Sequence, residues 1–190
     1  LLVAMDTSAS AGTSTAGLVF GGNPGGLTET VSYNGTSYTE ENNLTAARYA
    51  LGGSGTQTAA ISAGGSPQTN TGSALSEEWD GTSWTEGNNL GTGRYKPAQT
   101  GTQTATLFVG GDTGPANVAN VEEYDGTSWS EVTDFPSTLT FAASSGIQTD
   151  ALMGGGAFPT NAPSVITNTE SWNGTSWTEV NDMATARSQM

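Results

Sequence analysis

The sequence contains no cysteine and no histidine. Without cysteine the chain has no disulfides, no thiolate nucleophile and no thiolate ligand for a metal. Without histidine it lacks the commonest general base and the commonest zinc ligand. Serine and threonine are plentiful, but nothing in the sequence is suited to activating them. We therefore predict a protein that is not an enzyme and that carries no cofactor and no metal.

Positive charge is also scarce, with 4 basic against 18 acidic residues and a formal net charge of −14. The basic residues are Lys96, Arg48, Arg94 and Arg187. Such a surface repels phosphate backbones, so we predict that nucleic acid is not a partner. The same charge argues against docking on anionic lipid. No apolar run approaches the ~20 residues that span a bilayer, which predicts no membrane insertion.

Helical patterns are absent as well, since no apolar period of 3.6 residues continues for the length of a helix. The chain is instead rich in Gly, Thr, Ser, Ala and Asn. Threonine favours strands, whereas Gly, Asn and Ser favour turns. The composition thus predicts an all-β protein.

An eight-residue phrase, WDGTSWTE in its copy at 79–86, occurs four times with small changes, beginning at residues 33, 79, 124 and 172. Each copy presents two aromatic side chains five residues apart: Tyr33, Tyr38, Trp79, Trp84, Tyr124, Trp129, Trp172 and Trp177. A glycine pair recurs in the same register, at 21–22, 64–65, 110–111 and 155–156. These two markers hold one period, so the chain is built from four repeats.

Each repeat is predicted to form four short strands. In the second repeat we place them at about 49–54, 58–63, 74–79 and 82–86. Asn-Gly and Asp-Gly favour a two-residue type I′ hairpin turn between the last two strands. That turn places Trp172 opposite Thr175 and Glu170 opposite Trp177, with the two tryptophans diagonal on one face. These aromatic pairs are predicted to seal neighbouring sheets against one another.

Four-stranded antiparallel sheets at this period predict a β-propeller. An apolar strand that ends in a Gly pair, followed by an aromatic residue and then a tryptophan about five residues on, resembles the kelch repeat. The four kelch-like repeats cover about 1–43, 44–89, 90–134 and 135–182. Residues 183–190 either begin a further repeat or form a closing tail. The blades accordingly form either part of a larger ring or a closed four-bladed ring.

More narrowly, the phrase TESWNGTSWTEVND at 169–182, followed by TAR at 185–187, resembles repeats in structural proteins of marine phages, cyanophages among them. This resemblance implies a non-enzymatic module in a virion appendage or tail fibre, with a localisation that is extracellular or on the virion surface. The implied partners are a polysaccharide or cell-surface glycan, or other virion proteins, and homo-oligomers are compatible with it. A bacterial extracellular lectin or adhesion propeller is the alternative. An enzyme scaffold of the sialidase or oxidase type is disfavoured by the missing residues.

The connections after the glycine pairs vary between repeats, whereas the rest of each repeat is regular. Variable loops on one face of a repeat fold commonly form the binding surface. Their polar residues suit hydrogen bonds to sugars. The alternative is that these loops are only linkers that tolerate changes in sequence. The candidate ligand-binding residues are Asn23, Gln68, Asn70, Asp112, Asn117 and Asn161.

Other recurring polar residues have structural explanations. Asp80 and Asp125 alternate with Asn34 and Asn173 at one turn position, which predicts a turn role. The glutamates that end each repeat phrase are predicted to be solvated strand edges, with a cation ring as the alternative; they are Glu40, Glu86, Glu131 and Glu179. The arginines share one repeat position, and we predict that they pair with carboxylates; anion capture is the alternative.

Overall fold

The computed structural model describes residues 4–158 and 164–188, which form four antiparallel four-stranded sheets and one short two-stranded sheet. Blade 1 contains β1 (Ala9–Thr13), β2 (Ala16–Phe20), β3 (Thr30–Tyr33) and β4 (Tyr38–Glu40). Blade 2 contains β5 (Gly52–Thr56), β6 (Ala59–Ala63), β7 (Ser76–Trp79) and β8 (Trp84–Glu86). Blade 3 contains β9 (Ala98–Thr102), β10 (Ala105–Val109), β11 (Val121–Tyr124) and β12 (Trp129–Glu131). Blade 4 contains β13 (Ala143–Ile147), β14 (Asp150–Gly154), β17 (Thr169–Trp172) and β18 (Trp177–Glu179), and the short sheet pairs β15 (Ala157–Phe158) with β16 (Ser164–Val165).

The blades are arranged around an axis, as predicted for a propeller. Within each blade the strands follow one another in chain order, from the innermost to the outermost. The innermost strands β1, β5, β9 and β13 pack side by side in that order. The prediction of an all-β propeller with four blades is confirmed. No helix in the described ranges is long and apolar enough to cross a membrane.

The innermost strands begin later than the sequence pattern predicts. Strand β5 starts at Gly52 and not at residue 49. Tyr49 is instead bridged to Ser66, and Ala50 has a φ of 49°. This left-handed conformation is incompatible with a continuous strand. The residues before each inner strand thus form a connection that reaches the neighbouring loop.

The hairpin turn inside the repeated phrase also differs from the prediction. Trp172 lies directly opposite Trp177, and Glu170 lies opposite Glu179. The loop therefore has four residues, and Gly174 at φ 86° is its left-handed position. The Asn173 carboxamide oxygen accepts hydrogen bonds from the N–H groups of Thr175 (3.0 Å) and Ser176 (2.9 Å). The two-residue type I′ turn was wrong because the side chain, and not a left-handed Asn, closes this turn.

The aromatic pairs themselves lie as the repeats require. The Trp172 and Trp177 ring centroids are 4.9 Å apart, and the Trp79 and Trp84 centroids are 5.4 Å apart. The second aromatic of a blade faces the preceding blade, so the Trp84 ring packs 4.8 Å from that of Phe20. Its indole N–H donates to the Thr30 hydroxyl oxygen of blade 1 at 2.9 Å. The aromatic pairs of blades 2, 3 and 4 thus pack each of these blades against the preceding one, as predicted, whereas Tyr38 of blade 1 is 39% exposed.

Glutamine side chains clip successive blades together. Gln57 of blade 2 donates from Nε2 to the backbone carbonyls of Gly17 (3.1 Å) and Tyr33 (2.9 Å) in blade 1. Gln103 and Gln148 repeat this contact on blades 2 and 3. Each clip satisfies two carbonyls at the end of a strand pair, where no further strand is available to do so.

Two arginines form buried ion pairs inside their blades. Arg48 Nη2 lies 2.7 Å from Glu77 Oε1, and both side chains are 1% exposed. Arg94 Nη1 lies 2.7 Å from Glu122 Oε1 at the same place in blade 3. The predicted carboxylate pairing is confirmed for these two arginines, whereas the Arg187 Nε donates to the Thr185 carbonyl at 3.4 Å.

The fourth repeat carries Leu139 at the arginine position but keeps the glutamate, Glu170. Glu170 is buried, and it lies opposite Glu179 in the sheet. Burial raises the pKa of Glu170 above its ordinary value of 4.5, and the negative charges of Glu179 and Asp182 raise it further. Ionised Glu170 therefore lacks the arginine partner that Glu77 and Glu122 have at the same place in blades 2 and 3.

Replacing Glu170 by Gln is expected to stabilise the fold near neutral pH by about 0.5–1 kcal/mol, the size of a like-charge cross-strand contact that is removed. Because the folded pKa is raised, the unfolded chain ionises first as the pH rises, and ionisation then disfavours folding. The advantage of the variant should grow from pH 4.5 upwards and vanish below it. Urea unfolding of the variant and the parent protein, at several pH values below and above 4.5, measures this difference in the free energy of unfolding. Glu77→Gln is the matched control and should destabilise, since it removes the partner of Arg48; equal effects of the two variants would contradict the explanation.

Candidate functional site

The connection before each inner strand lies beside the loop that follows the glycine pair. Single antiparallel bridges join these two segments in every blade: Asp6 to Asn23, Tyr49 to Ser66, Tyr95 to Asp112 and Thr140 to Ala157. The glycine pairs make this approach possible, because a side chain on Gly64 or Gly65 would meet neighbouring backbone or side-chain atoms. The variable loops and the inter-blade connections thus form one surface, which we call the loop face.

Blades 2 and 3 bring five polar or aromatic residues together on the loop face. We call this group the tyrosine cluster, and it consists of Tyr49, Asn70, Tyr95, Lys96 and Asp112. The Tyr49 hydroxyl donates to the Asn70 carboxamide oxygen at 2.5 Å. The Tyr49 and Tyr95 rings meet edge to face with centroids 6.1 Å apart. Tyr49 is partly exposed and Tyr95 is buried beneath it, so the Tyr49 ring is held in a fixed orientation.

The only lysine of the chain completes this group. Lys96 Nζ lies 4.4 Å from the centroid of the Tyr95 ring and 3.3 Å from Asp112 Oδ2. Burial raises the pKa of Tyr95 to about 12, and the neighbouring Asp112 carboxylate raises it too. Tyr95 therefore keeps its proton at physiological pH. The ammonium and the carboxylate neutralise each other, which leaves a site with hydrogen-bonding groups and little net charge.

At one repeat position, just before each inner strand, a non-glycine residue adopts a left-handed backbone conformation. These residues are Thr7, Ala50, Lys96 and Phe141, with φ between 47° and 59°. They are linked in series, since the N–H of Ala50, Lys96 and Phe141 donates to the carbonyl of the preceding member at 2.9, 2.7 and 3.1 Å. Each left-handed non-glycine residue costs on the order of 1 kcal/mol. These backbone hydrogen bonds between blades offset that cost and hold the four residues around the axis.

These four residues line a cavity of about 690 Å³ along the axis, together with parts of the inner strands. Its lining carries small polar side chains such as those of Ser10 and Ser144. In the described ranges, no group of three or more acidic residues is placed to hold a metal ion.

The sequence-predicted loop residues fall into two groups. Asn70 and Asp112 belong to the tyrosine cluster, because the loops of blades 2 and 3 are joined by the bond from Gly72 N–H to the Thr113 carbonyl (3.1 Å). Gln68 and Asn117 lie on the same two loops. Asn23 belongs to the loop of blade 1, where its Nδ2 donates to the Thr7 hydroxyl at 3.3 Å. Asn161 lies outside the described residues.

Sequence reasoning missed the aromatic part of the cluster. Tyr49 and Tyr95 each follow a repeat-position arginine, and the dipeptide Arg-Tyr at 48–49 and 94–95 was the available signal. Because each of these arginines is buried inside its blade, the tyrosine that follows it in the sequence lies on the loop face. The aspartates of the hairpin turns do have the predicted turn role, since Asp80 Oδ1 accepts the N–H groups of Thr82 and Ser83 at 2.8 Å. Those N–H donors hold the pKa of Asp80 below its ordinary value.

Comparison with known proteins identifies the fold alone. No protein-family model matches the chain, and no curated protein matches it in sequence. Among solved structures, the chain is similar to that of YjhT, with a TM-score of 0.84 and 14% sequence identity. The match covers 97% of this chain and 72% of YjhT.

Proposed function

We propose that this propeller is a non-catalytic binding module that holds a neutral polysaccharide on its loop face, with the tyrosine cluster as the contact. The observation that carries the proposal is the partly exposed Tyr49 ring, supported from below by Tyr95 and flanked by Asn70 and by the Lys96–Asp112 pair. An aromatic ring can pack against the apolar face of a sugar ring, and a few fixed polar groups give such a site its specificity.

The charge of the chain favours a neutral ligand over an acidic one. At a net charge of −14 a polyanion is repelled, and the one lysine in the cluster is already paired with Asp112. Binding of a neutral glycan should therefore vary little with salt, whereas an acidic glycan would be bound only when salt screens the repulsion.

The biological setting that we propose is the outside of a phage particle, in a fibre or appendage that contacts a glycan of the host surface. The support is the resemblance of the repeated phrases to kelch-like repeats of marine phage structural proteins. A bacterial extracellular lectin is the second candidate and uses the same surface. We also propose that the chain turns over no glycoside, because glycoside hydrolysis ordinarily needs a pair of carboxylates and the tyrosine cluster holds one, Asp112, which is paired with Lys96.

Replacing Tyr49 by Ala is expected to weaken glycan binding at least about tenfold, because it removes the aromatic surface, and Asn70→Ala should weaken it less. Binding to an array of neutral and acidic glycans, followed by titration of the best ligand, measures this. Tyr38→Ala removes an exposed tyrosine outside the loop face and serves as the matched control. Equal loss in both variants, binding only of acidic glycans, or release of reducing sugar during the assay would contradict the proposal.

A further inference from the structure

Two of the four repeats close the turn of the repeated phrase with an Asn-Gly pair, at 34–35 and 173–174. No other asparagine of the sequence precedes a glycine. Asn34 and Asn173 are exposed, and they lie at the end of their blades opposite to the loop face. They take no part in the tyrosine cluster, so their chemistry is independent of the glycan site.

The side-chain carboxamide of each asparagine is polarised by three donors. Asn34 Oδ1 accepts the N–H groups of Thr36 and Ser37, both at 3.0 Å, and the Ser37 hydroxyl at 3.4 Å. Asn173 Oδ1 has the same three contacts, at 3.0, 2.9 and 3.4 Å. Donors on a carbonyl oxygen stabilise the negative charge that develops there when a nucleophile attacks the carbon. The turn therefore activates Cγ of both asparagines toward attack.

The nearest nucleophile is the backbone nitrogen of the glycine that follows. In the part of the chain that the structure describes, no hydrogen bond engages the N–H of Gly35 or Gly174, or the Nδ2 of Asn34 or Asn173. The bond from the Thr36 N–H to Asn34 Oδ1 closes a ring that contains both Cγ and the glycine nitrogen, so these two atoms are held together. The nucleophile and the leaving group are thus both unrestrained.

We propose that Asn34 and Asn173 are sites of spontaneous deamidation, and that the reaction gives them the aspartate turn that blades 2 and 3 already have. The glycine nitrogen loses its proton and forms a bond to Cγ, the Cγ–Nδ2 bond breaks, and ammonia leaves with a proton taken up from water. A cyclic succinimide results. Water then breaks the new bond between nitrogen and Cγ, which produces aspartate and restores the glycine N–H.

Blades 2 and 3 show that the fold accepts this product. Asp80 Oδ1 accepts the N–H groups of Thr82 and Ser83 at 2.8 Å, which is shorter than the equivalent bonds to Asn34. Such donors hold the pKa values of Asp80 and Asp125 below the ordinary value, so both carboxylates are ionised at neutral pH. Charge-assisted hydrogen bonds are stronger than neutral ones. Conversion therefore strengthens the turn, and each event adds one negative charge to the net −14.

Water can also open the succinimide at its other carbonyl, which produces isoaspartate. The main chain then passes through the former side chain, and the turn no longer closes in the same way. At position 173 this product affects a boundary between blades. Thr133 of blade 3 donates from Oγ1 to the Thr175 carbonyl at 3.0 Å, and its own carbonyl accepts the Trp177 indole N–H at 3.1 Å. Isoaspartate at 173 should therefore loosen blade 4 from blade 3.

The test is incubation of the whole folded chain at physiological temperature and mildly alkaline pH, with samples taken over several weeks. We expect acidic forms to accumulate on ion exchange, and peptide mapping to find a gain of about 1 Da at each of positions 34 and 173. Asn42 and Asn88 are the internal controls. Both are exposed, both precede another asparagine, and their Nδ2 groups donate to the Thr82 and Thr127 carbonyls at 2.8 and 2.6 Å, so they should stay unchanged.

Two comparisons separate the effect of the turn from that of the Asn-Gly pair alone. The folded chain should deamidate no more than about tenfold slower than the chain unfolded in urea, because the turn activates the carboxamide. Gly35→Ala should slow the reaction at Asn34 at least about tenfold, because the methyl group hinders attack, and should leave position 173 unaffected. If Gly35→Ala does not fold, Asn34→Ser replaces it and should leave position 173 as the one reacting site.

The accepted product is tested directly by the variants Asn34→Asp and Asn173→Asp. Each should unfold at a urea concentration no lower than that of the parent chain. A lower midpoint would contradict the claim that conversion strengthens the turn. Deamidation of Asn42 or Asn88 ahead of the two turn asparagines would overturn the proposal, as would a folded chain that reacts more than about tenfold slower than the unfolded one.

Discussion

Replacing Arg48 by Met is expected to lower the free energy of unfolding by about 3–5 kcal/mol, the cost of breaking a buried ion pair from one side. Arg48 and Glu77 are almost inaccessible to solvent, and the guanidinium also donates to the Gly64 and Leu75 carbonyls at 2.6 and 3.0 Å. The substitution leaves the Glu77 carboxylate buried without a cation and removes the arginine donor from the Gly64 carbonyl, while the Leu75 carbonyl keeps the bond from the Gly64 N–H at 2.9 Å. Urea unfolding followed by tryptophan fluorescence measures the loss.

The double variant Arg48→Met with Glu77→Val should recover most of that loss. Its pattern is taken from the molecule itself, because Met5 and Val31 hold these two positions in blade 1, where Val31 is 1% exposed. Replacing both charges removes the desolvation cost along with the attraction, which is often neutral for stability. A double-mutant cycle at constant pH quantifies the coupling. A double variant no more stable than Arg48→Met would show that the arginine's bonds to the carbonyls, and not the ion pair, carry the stability.

Replacing Gly64 by Ala is expected to destabilise the protein by about 2–4 kcal/mol, the combined size of backbone strain and overpacking. Gly64 has a φ of 65°, and an added methyl group would lie 2.5 Å from the Arg94 carbonyl oxygen and 2.8 Å from Phe108 Cζ. Backbone cannot yield as a flexible side chain does, so blade 2 must move away from the connection that leads into blade 3. Thermal and urea unfolding should both report the loss.

Gly35 supplies the matched control for this substitution. Its φ is 90°, so alanine is strained there too, but the nearest atom would lie 3.5 Å away at an exposed turn. Gly35→Ala should therefore cost about 1 kcal/mol, the backbone part alone. If both variants lose the same amount, the close packing of the glycine pairs is not what makes them recur.

The periodic features of the fold could be predicted from the sequence because they repeat. Aromatic pairs such as Trp79 and Trp84 recur at fixed spacing, and their burial between blades follows from that spacing. The turn beside them was predicted incorrectly, since Asp-Gly suits a type I′ turn and a side-chain-closed loop alike. The hydrogen bonds from the Thr82 and Ser83 N–H groups to Asp80 decide between the two turn types. They depend on backbone conformations that the residue types alone do not specify.

The candidate site was harder to predict, since it depends on contacts between repeats. Asn70 and Asp112 are far apart in the sequence, and the tyrosines that join them lie in connections assigned to strands. Lys96 was visible as the only lysine, but its place over the Tyr95 ring requires the left-handed turn at that residue. Asn23 was predicted with the others, but its side chain bonds to Thr7 within blade 1 and not to the tyrosine cluster. The kelch-like character of the repeats and the phage setting stay predictions.

The glutamine clips bear on how the molecule would respond to a pulling force. Each of Gln57, Gln103 and Gln148 joins one blade to the one before it. A load applied between blade 1 and blade 4 is thus carried across three blade boundaries in series. The boundary with the fewest bonds opens first, and each released blade then lengthens the chain by the slack of one repeat. The molecule would extend in discrete steps and absorb mechanical work at each one, as a shock-absorbing tether does.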